Sequence, residues 1–354
     1  MQGPVATFTY RLFAIVMLVP ATTGCAQTRP HDPDAIRGSG QGQVHFVSDD
    51  IRELSGITYL GSDLFAVVSD KGGKIGVAKI KIDRESGAIL EASIDQIIEL
   101  EGGRDLEGIT IDPSTCLLLT ADEADQSIDF HHFPSGRHLE PVDVPEVFQK
   151  ARSNLGFESI SASMWDRSIW AANEEPLEVD GPRATQQAGG LVRLQQFNHQ
   201  LQPIRQFAYP VDPHRGSDNL IQRAQSGVTG LVALPNGGLI VMERELGGSG
   251  VPSFRVRLYL IDTTGATDTS ETDAITEDNT TPVRKQLLFE SNTGLANFEG
   301  ITLGPQLENG EYTLVLVSDD GSNQYNPQNL MSLRIPASLV DPISPKESNA
   351  SEAD

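Results

Sequence analysis

An all-β propeller is the fold class this sequence predicts, and three observations predict it. One segment plan recurs five times, short apolar runs outnumber long helical patterns, and one unit lacks a strand that the opposite end of the domain supplies. The plan is clearest in ELSGITYLGSDLFAVVSDKGG (Glu53–Gly73): an apolar run holding a glycine, a turn, a second apolar run, then a carboxylate followed by glycines. It returns in DLEGITIDPSTCLLLTADE (Asp105–Glu123), GFESISASMWDRSIWAANEE (Gly156–Glu175), GVTGLVALPNGGLIVMERELG (Gly227–Gly247) and NFEGITLGPQLENGEYTLVLVSDDGS (Asn297–Ser322). Units of this size bury their apolar faces against their neighbours, so they stack into an array.

The first unit predicts strands over Leu54–Tyr59, Leu64–Ser69, Ile75–Ile82 and Ile94–Leu100, with Asp83–Ala88 as a turn. The second predicts Leu106–Ile111, Cys116–Ala121, Ser127–Phe133 and Leu139–Val144, punctuated by Asp112-Pro113 and Ser135-Gly136. Glu158–Ser163, Ser168–Ala172, Gly190–Phe197 and Pro203–Tyr209 make the third, with a polar loop over 174–188. The fourth is Val228–Leu234, Gly238–Glu243, Phe254–Ile261 and Arg284–Glu290. The fifth offers only Phe298–Leu303, Tyr312–Ser318 and Asn329–Ile335. Val44–Ser48 fills that vacancy, giving five four-stranded blades closed by an N-terminal strand; six blades is the alternative.

Around this domain, expected over 43–337, the ends differ in character. Residues 1–26 read as an export leader: Arg11 is the lone charge before the apolar run Leu12–Ala21, too short to span a bilayer. Thr22-Thr23-Gly24-Cys25-Ala26 resembles a lipobox with Cys25 as the acylated residue, although Thr22 replaces the usual leucine; ordinary cleavage after Ala26 is the other reading. The expected location is therefore outside the cytoplasm, periplasmic, membrane-tethered through Cys25, or extracellular. Residues 27–42 read as a flexible linker and 338–354 as a polar tail. The segment 263–282 carries five carboxylates and no basic residue, which predicts a disordered or mobile acidic insert. Cys116 reads as a small buried core residue, and no Cys/His cluster suggests zinc.

Acidic residues number 49 against 26 basic, for a formal net charge of −23. That balance opposes binding to nucleic acid or an anionic membrane surface and suits cations. Aligning the units stacks Ser55, Glu107, Glu158, Thr229 and Glu299 in one column, and Asp70, Asp122, Glu174, Arg244 and Asp319 in another. The first strand of every propeller blade lines the axis, so these side chains should converge. Glutamates so placed repel unless a cation neutralises them, and calcium, which takes six to eight oxygen ligands, suits such a set. The expected metal ligands are Glu107, Glu158, Glu299, Asp70, Asp122 and Asp319. Trapped water with Arg104, Arg167 or Arg244 as counter-ions, or blade packing alone, are the competing readings. Arg104, Lys71, His214, Arg215 and Arg244 are the basic groups near unit ends that would meet an anionic leaving group.

Other residues carry less. His131 and His132 are adjacent in a strand and point to opposite faces, a poor ligand pair expected at a surface or edge. Trp165 and Trp170 flank the Asp166-Arg167 turn and are expected to cover the blade-three core or a nearby loop. No G-x-S-x-G elbow supports a serine nucleophile, and no P-loop or dinucleotide pattern surrounds Gly72-Gly73.

Glu53-Leu54-Ser55-Gly56-Ile57, Ser69-Asp70, Asp105-Leu106-Glu107-Gly108-Ile109, Gly156-Phe157-Glu158 and Asn297-Phe298-Glu299-Gly300-Ile301 with Ser318-Asp319 together resemble the phytase-like, or "esterase-like activity of phytase", family of exported bacterial proteins. The resemblance covers about residues 44–335 and implies a β-propeller with ester or phosphate-ester hydrolysis; Glu107, Glu158 and Glu299 match its recurring glutamate. The expected function is an exported divalent-metal-dependent hydrolase of phosphate esters, simple esters or lactones, with Glu107, Glu158, Glu299 and Arg244 as catalytic candidates and a monomeric state. The alternatives are a non-catalytic propeller binding an envelope protein or glycan, and a scaffold in which metal only holds the blades together.

Overall fold

The computed structural model describes residues 36–46, 48, 50–100, 105–112, 115–218, 223–321 and 328–342. The leader, Cys25 and Arg104 lie outside them. Among the described residues, twenty strands form five four-stranded antiparallel sheets. Blade one is β2 (Leu54–Gly61), β3 (Leu64–Ser69), β4 (Lys74–Ile82) and β5 (Ile89–Glu99). Blade two is β6 (Leu106–Ile111), β7 (Leu118–Asp122), β8 (Ser127–His132) and β9 (Arg137–Pro141). Blade three is β10 (Phe157–Ala162), β11 (Ile169–Asn173), β12 (Gly190–Phe197) and β13 (Pro203–Val211). Blade four is β14 (Gln225–Ala233), β15 (Leu239–Gly247), β16 (Ser253–Asp262) and β17 (Arg284–Gly294). Blade five is β18 (Asn297–Gln306), β19 (Tyr312–Asp319) and β20 (Asn329–Ile335), completed by β1 (Arg37–His45). This is a five-bladed β-propeller.

The inner strands close the ring, each packing on the next from β2 through β6, β10, β14 and β18 back to β2. Apolar side chains fill the wedge between every pair of blades. Leu106, Ile109 and Leu118 meet Ala66, Val68 and Ile75 between blades one and two, while Phe298, Ile301 and Leu316 meet Ile240, Met242 and Leu258 between blades four and five. Glycine makes the close approach possible. A Cβ on Gly108 would lie 2.9 Å from the Ile160 backbone nitrogen, and one on Gly300 would lie 2.9 Å from the Ser55 carbonyl oxygen. Both obstacles are main chain of the next inner strand and cannot rotate away.

Several expectations at the periphery are corrected. The closing strand starts at Arg37 and Ile36 is buried, so the propeller begins inside the segment read as linker. At the other end, the short helix α1 (Ala337–Val340) buries Leu339 and Val340, taking the core into the expected tail. Cys116 is exposed, not buried: it occupies a turn at φ 57° and the strand starts two residues later, at Leu118. His131 does oppose His132 across the sheet, but it is buried, with Nε2 3.0 Å from the Thr120 hydroxyl. Trp170 is buried against Phe207, whereas Trp165 is 66% exposed and covers no core.

The acidic insert is ordered against blade three. Arg193, on β12, is completely buried and makes a two-pronged ion pair with Asp180 at 2.6 and 2.7 Å. Its remaining N–H groups donate to the Gln206 side chain and to the carbonyls of Thr272 and Asp273 in the insert. The Ile275 N–H donates to Asp180, and Ile275 itself is buried. A guanidinium has more donors than one carboxylate can satisfy, and the insert supplies the missing acceptors.

Asp180→Ala leaves that guanidinium buried without a counter-charge, with an expected loss of about 3–5 kcal/mol in urea unfolding. Gly108→Ala is expected to cost about 1–3 kcal/mol by the same measurement, because the inner strands must separate to admit the methyl group. Wild-type stability in the second variant would mean that the ring expands without penalty.

Candidate functional site at the channel mouth

Every inner strand carries a β-bulge at the same place. The register slips between Leu54 and Gly56, Leu106 and Gly108, Phe157 and Ser159, Val228 and Gly230, and Phe298 and Gly300. The skipped residues are Ser55, Glu107, Glu158, Thr229 and Glu299. A bulged residue has no partner across the ladder and its side chain is re-aimed; here all five line one central cavity with the glycines beside them. That cavity measures about 10 Å³, room for about one water. The channel is thus filled by its own side chains, with no room there for anything larger than a water.

The mouth is ringed by the second column. Asp70, Asp122, Glu174, Arg244 and Asp319 sit at or near the ends of the second strands. The alignment missed three neighbours: Glu53 and Asp105 just before the first strands, and Glu123 just after β7. Carboxylate oxygens of Asp105, Glu107 and Glu123 lie within 4.8 Å of one another, and so do those of Glu123, Glu158 and Glu174. Glu123 belongs to both groups and also accepts the Gly156 N–H at 3.0 Å. Asp105 stands just before β6 and Glu107 is the bulged residue of that strand, and their closeness in sequence was the available signal.

The remaining expected residues are held by partners of their own. Asp122 is buried and accepts the Asp125 N–H at 3.1 Å. Asp319 accepts the Gly321 N–H at 2.6 Å, and Asn297 donates to Glu299 at 2.7 Å. Arg244 is buried and ion-pairs with Glu174, with Asn297 Oδ1 at 3.3 Å and Glu299 at 3.7 Å. A guanidinium so engaged is not presented to an incoming anion. Lys71 is 69% exposed at the rim, paired with Glu53 and 3.7 Å from Asp70, and is an accessible cation there. His214 and Arg215 line a separate cavity of about 410 Å³ with Asp212 and Arg257.

Crowded, buried carboxylates resist ionisation. Burial pushes Glu107 well above the usual carboxylate range, and the charges of Glu299 and Glu123 add to it. Glu158 is raised by burial and then by Glu107 and Glu174. Glu299 is raised by burial and Asp319, against the pull of Arg244. Asp70 is pushed up to about 8 by burial, then by Glu53 and Asp319. Glu123 reaches about 7, again through burial, despite hydrogen bonds from Gly156 and Glu158. Burial opposes the charge on Arg244, but Glu174, Glu299 and Glu158 outweigh it and raise its pKa above the ordinary value.

The donors fit a hard divalent cation. All are oxygen, three converge within reach of one ion, and the Asp70 Oδ1 and Thr229 Oγ1 atoms are buried without a hydrogen bond. Asp105, Glu107 and Glu123 are the residues that would hold it, with Glu158 beside them.

A carboxyl whose pKa is raised by folding binds more protons in the folded than in the unfolded state, so stability falls as pH climbs through that window. With chelator present, the melting temperature is expected to fall as pH rises from the ordinary carboxylate range through about 8, the value to which Asp70 is pushed. Calcium should restore it, most at the alkaline end. Asp70→Asn should flatten the fall relative to wild type; parallel curves for the two proteins would contradict this electrostatic account.

The family model for the Phytase-like domain, described as "Esterase-like activity of phytase", matches residues 49–322. A search of curated proteins finds no match. Among solved structures, a luciferin-regenerating enzyme is 9% identical at a TM-score of 0.39, covering 87% of this chain and 97% of that one. A streptogramin B lyase is 12% identical at 0.35, covering 82% and 96%. Hydrazine synthase of Kuenenia stuttgartiensis is 9% identical at 0.34, covering 82% and 68%. Likenesses this distant carry no functional weight. The family match spans all five bulged inner strands and the mouth they form, and the chain belongs to the Phytase-like family.

Proposed function

We propose that this protein is a divalent-metal-dependent hydrolase of phosphate esters, simple esters or lactones, working at the mouth of the propeller channel with calcium as its metal. The observation that carries this reading is the convergence of Asp105, Glu107 and Glu123 within 4.8 Å, beside Glu158. The family description supports the reaction class. A divalent ion in this group supplies positive charge for an ester oxygen and a more acidic bound water.

The chain's own groups supply the rest. Asp105 and Glu123 orient at the rim, and Glu107 reaches them from the bulge below. Glu158 hydrogen-bonds Glu123 and resists ionisation, which suits it to hold or release a proton beside the reacting oxygen. Lys71, exposed and electrostatically coupled to Asp105, is placed to meet a leaving anion. Export through the leader, with a lipid tether at Cys25, belongs to the same proposal, as does a monomer, since a closed ring leaves little sheet edge to cover.

The narrow channel favours a second reading, in which the cation holds the blades together and no substrate is turned over. Metal analysis with ester and phosphomonoester assays, before and after chelation, separates the two. The hydrolase reading expects turnover that chelation abolishes and that Glu158→Gln lowers by about 100-fold or more. A protein that binds calcium, melts at a lower temperature when chelated and hydrolyses nothing is the scaffold.

A further inference from the structure

Blade four breaks the pattern of the ring in both columns: Thr229 stands where three other blades place glutamate, and Arg244 where the other four place a carboxylate. Arg244 lies opposite Gly227 in the β14–β15 ladder, and its guanidinium bridges the two flanking blades. On one side it ion-pairs with Glu174 of blade three; on the other it reaches Asn297 Oδ1 at 3.3 Å and Glu299 at 3.7 Å in blade five. Its side chain is 9% exposed, so this charge is part of the interior.

The two oxygen groups at the mouth differ in their relation to it. Glu123, Glu158 and Glu174 include a residue that Arg244 already engages; Asp105, Glu107 and Glu123 include none. A guanidinium and a divalent ion on the same carboxylate repel each other and compete for its lone pairs. The Glu174 group is therefore the one a metal is denied, although its three oxygens also lie within 4.8 Å of one another.

We infer that Arg244 is a built-in counter-cation occupying the place of a second metal ion: it confines the bound cation to Asp105, Glu107 and Glu123, and withholds Glu174 from coordination. This rests on the metal reading proposed above and specifies it. The role is positional, because Arg244 acts by where it lets the ion sit.

Calorimetric titration of the full chain with calcium alone tests the assignment through ions bound per chain, without reference to activity. Arg244→Gln should bind one more ion than wild type, Arg244→Lys should keep the wild-type number by retaining the charge, and the Arg244→Gln/Glu174→Gln double variant should lose the additional ion. Glu174→Gln alone should leave the wild-type number unchanged. The inference is overturned if folded Arg244→Gln gains no ion, or if Glu174→Gln alone loses the ion that wild type binds. Should Arg244→Gln fail to fold, Glu174→Gln decides by the same criterion. If neither wild type nor Arg244→Gln binds calcium, the metal reading and this inference fall together. An ion bound only by Arg244→Gln would leave Arg244 as the occluding charge and remove the metal from the native function.

Discussion

The organising constraint is a backbone one: a bulge in each inner strand, with a glycine after it in four blades, packed against the strand of the next blade. The bulge turns one side chain per blade out of the ladder and toward the axis. The absent Cβ lets neighbouring main chains come close enough for those side chains to share a space the size of one water. The glutamates are therefore gathered by the geometry of the ring, against their mutual repulsion. The cost appears as carboxyl groups that resist ionisation.

Charge elsewhere in the molecule is treated differently. Between blades three and four, Lys285 lies 2.6 Å from Glu243 and 2.7 Å from Asp212, with its ammonium over the rings of Tyr209 and Tyr259. Arg257 pairs with Glu245 at 2.8 Å, and Arg193 with Asp180. These carboxylates each have a cation in contact, the arrangement expected of a network that serves stability or packing. On the axis, Glu107 and Glu158 face other carboxylates instead. Among the described residues, the channel mouth thus gathers carboxylates that face one another, in contrast to the paired ones of blades three and four.

Much of this was legible from residues alone. The blade count followed from nineteen strand-like runs and an unassigned one at the opposite terminus, because a ring can borrow a strand across its closure. The axial column was legible because a repeated position in a repeated unit must occupy an equivalent place. Asp105 and Glu123 escaped because they lie one and two residues beyond the aligned strands, where the repeat is weakest and side-chain direction depends on how the chain enters the turn. The order in the acidic insert was illegible for another reason. It depends on Arg193 and Asp180, which read as unrelated polar residues until the fold buries them together. Cys116 was misread because a left-handed turn conformation at a non-glycine residue leaves no mark in an apolar run.

The seam between β1 and β20 joins the first described strand to the last. Val44 faces Leu330 and His45 faces Asn329, and the Asn329 amide donates to the Gln43 side chain. A ribosome adding about 5–20 residues per second leaves the opening strand waiting for tens of seconds before its mate is made. Through that interval its hydrogen-bonding edge is bare, and so is the flank of blade one that the finished fifth blade later covers. Nascent chains halted short of Asn329 retain a sticky ribbon that only full-length synthesis can retire.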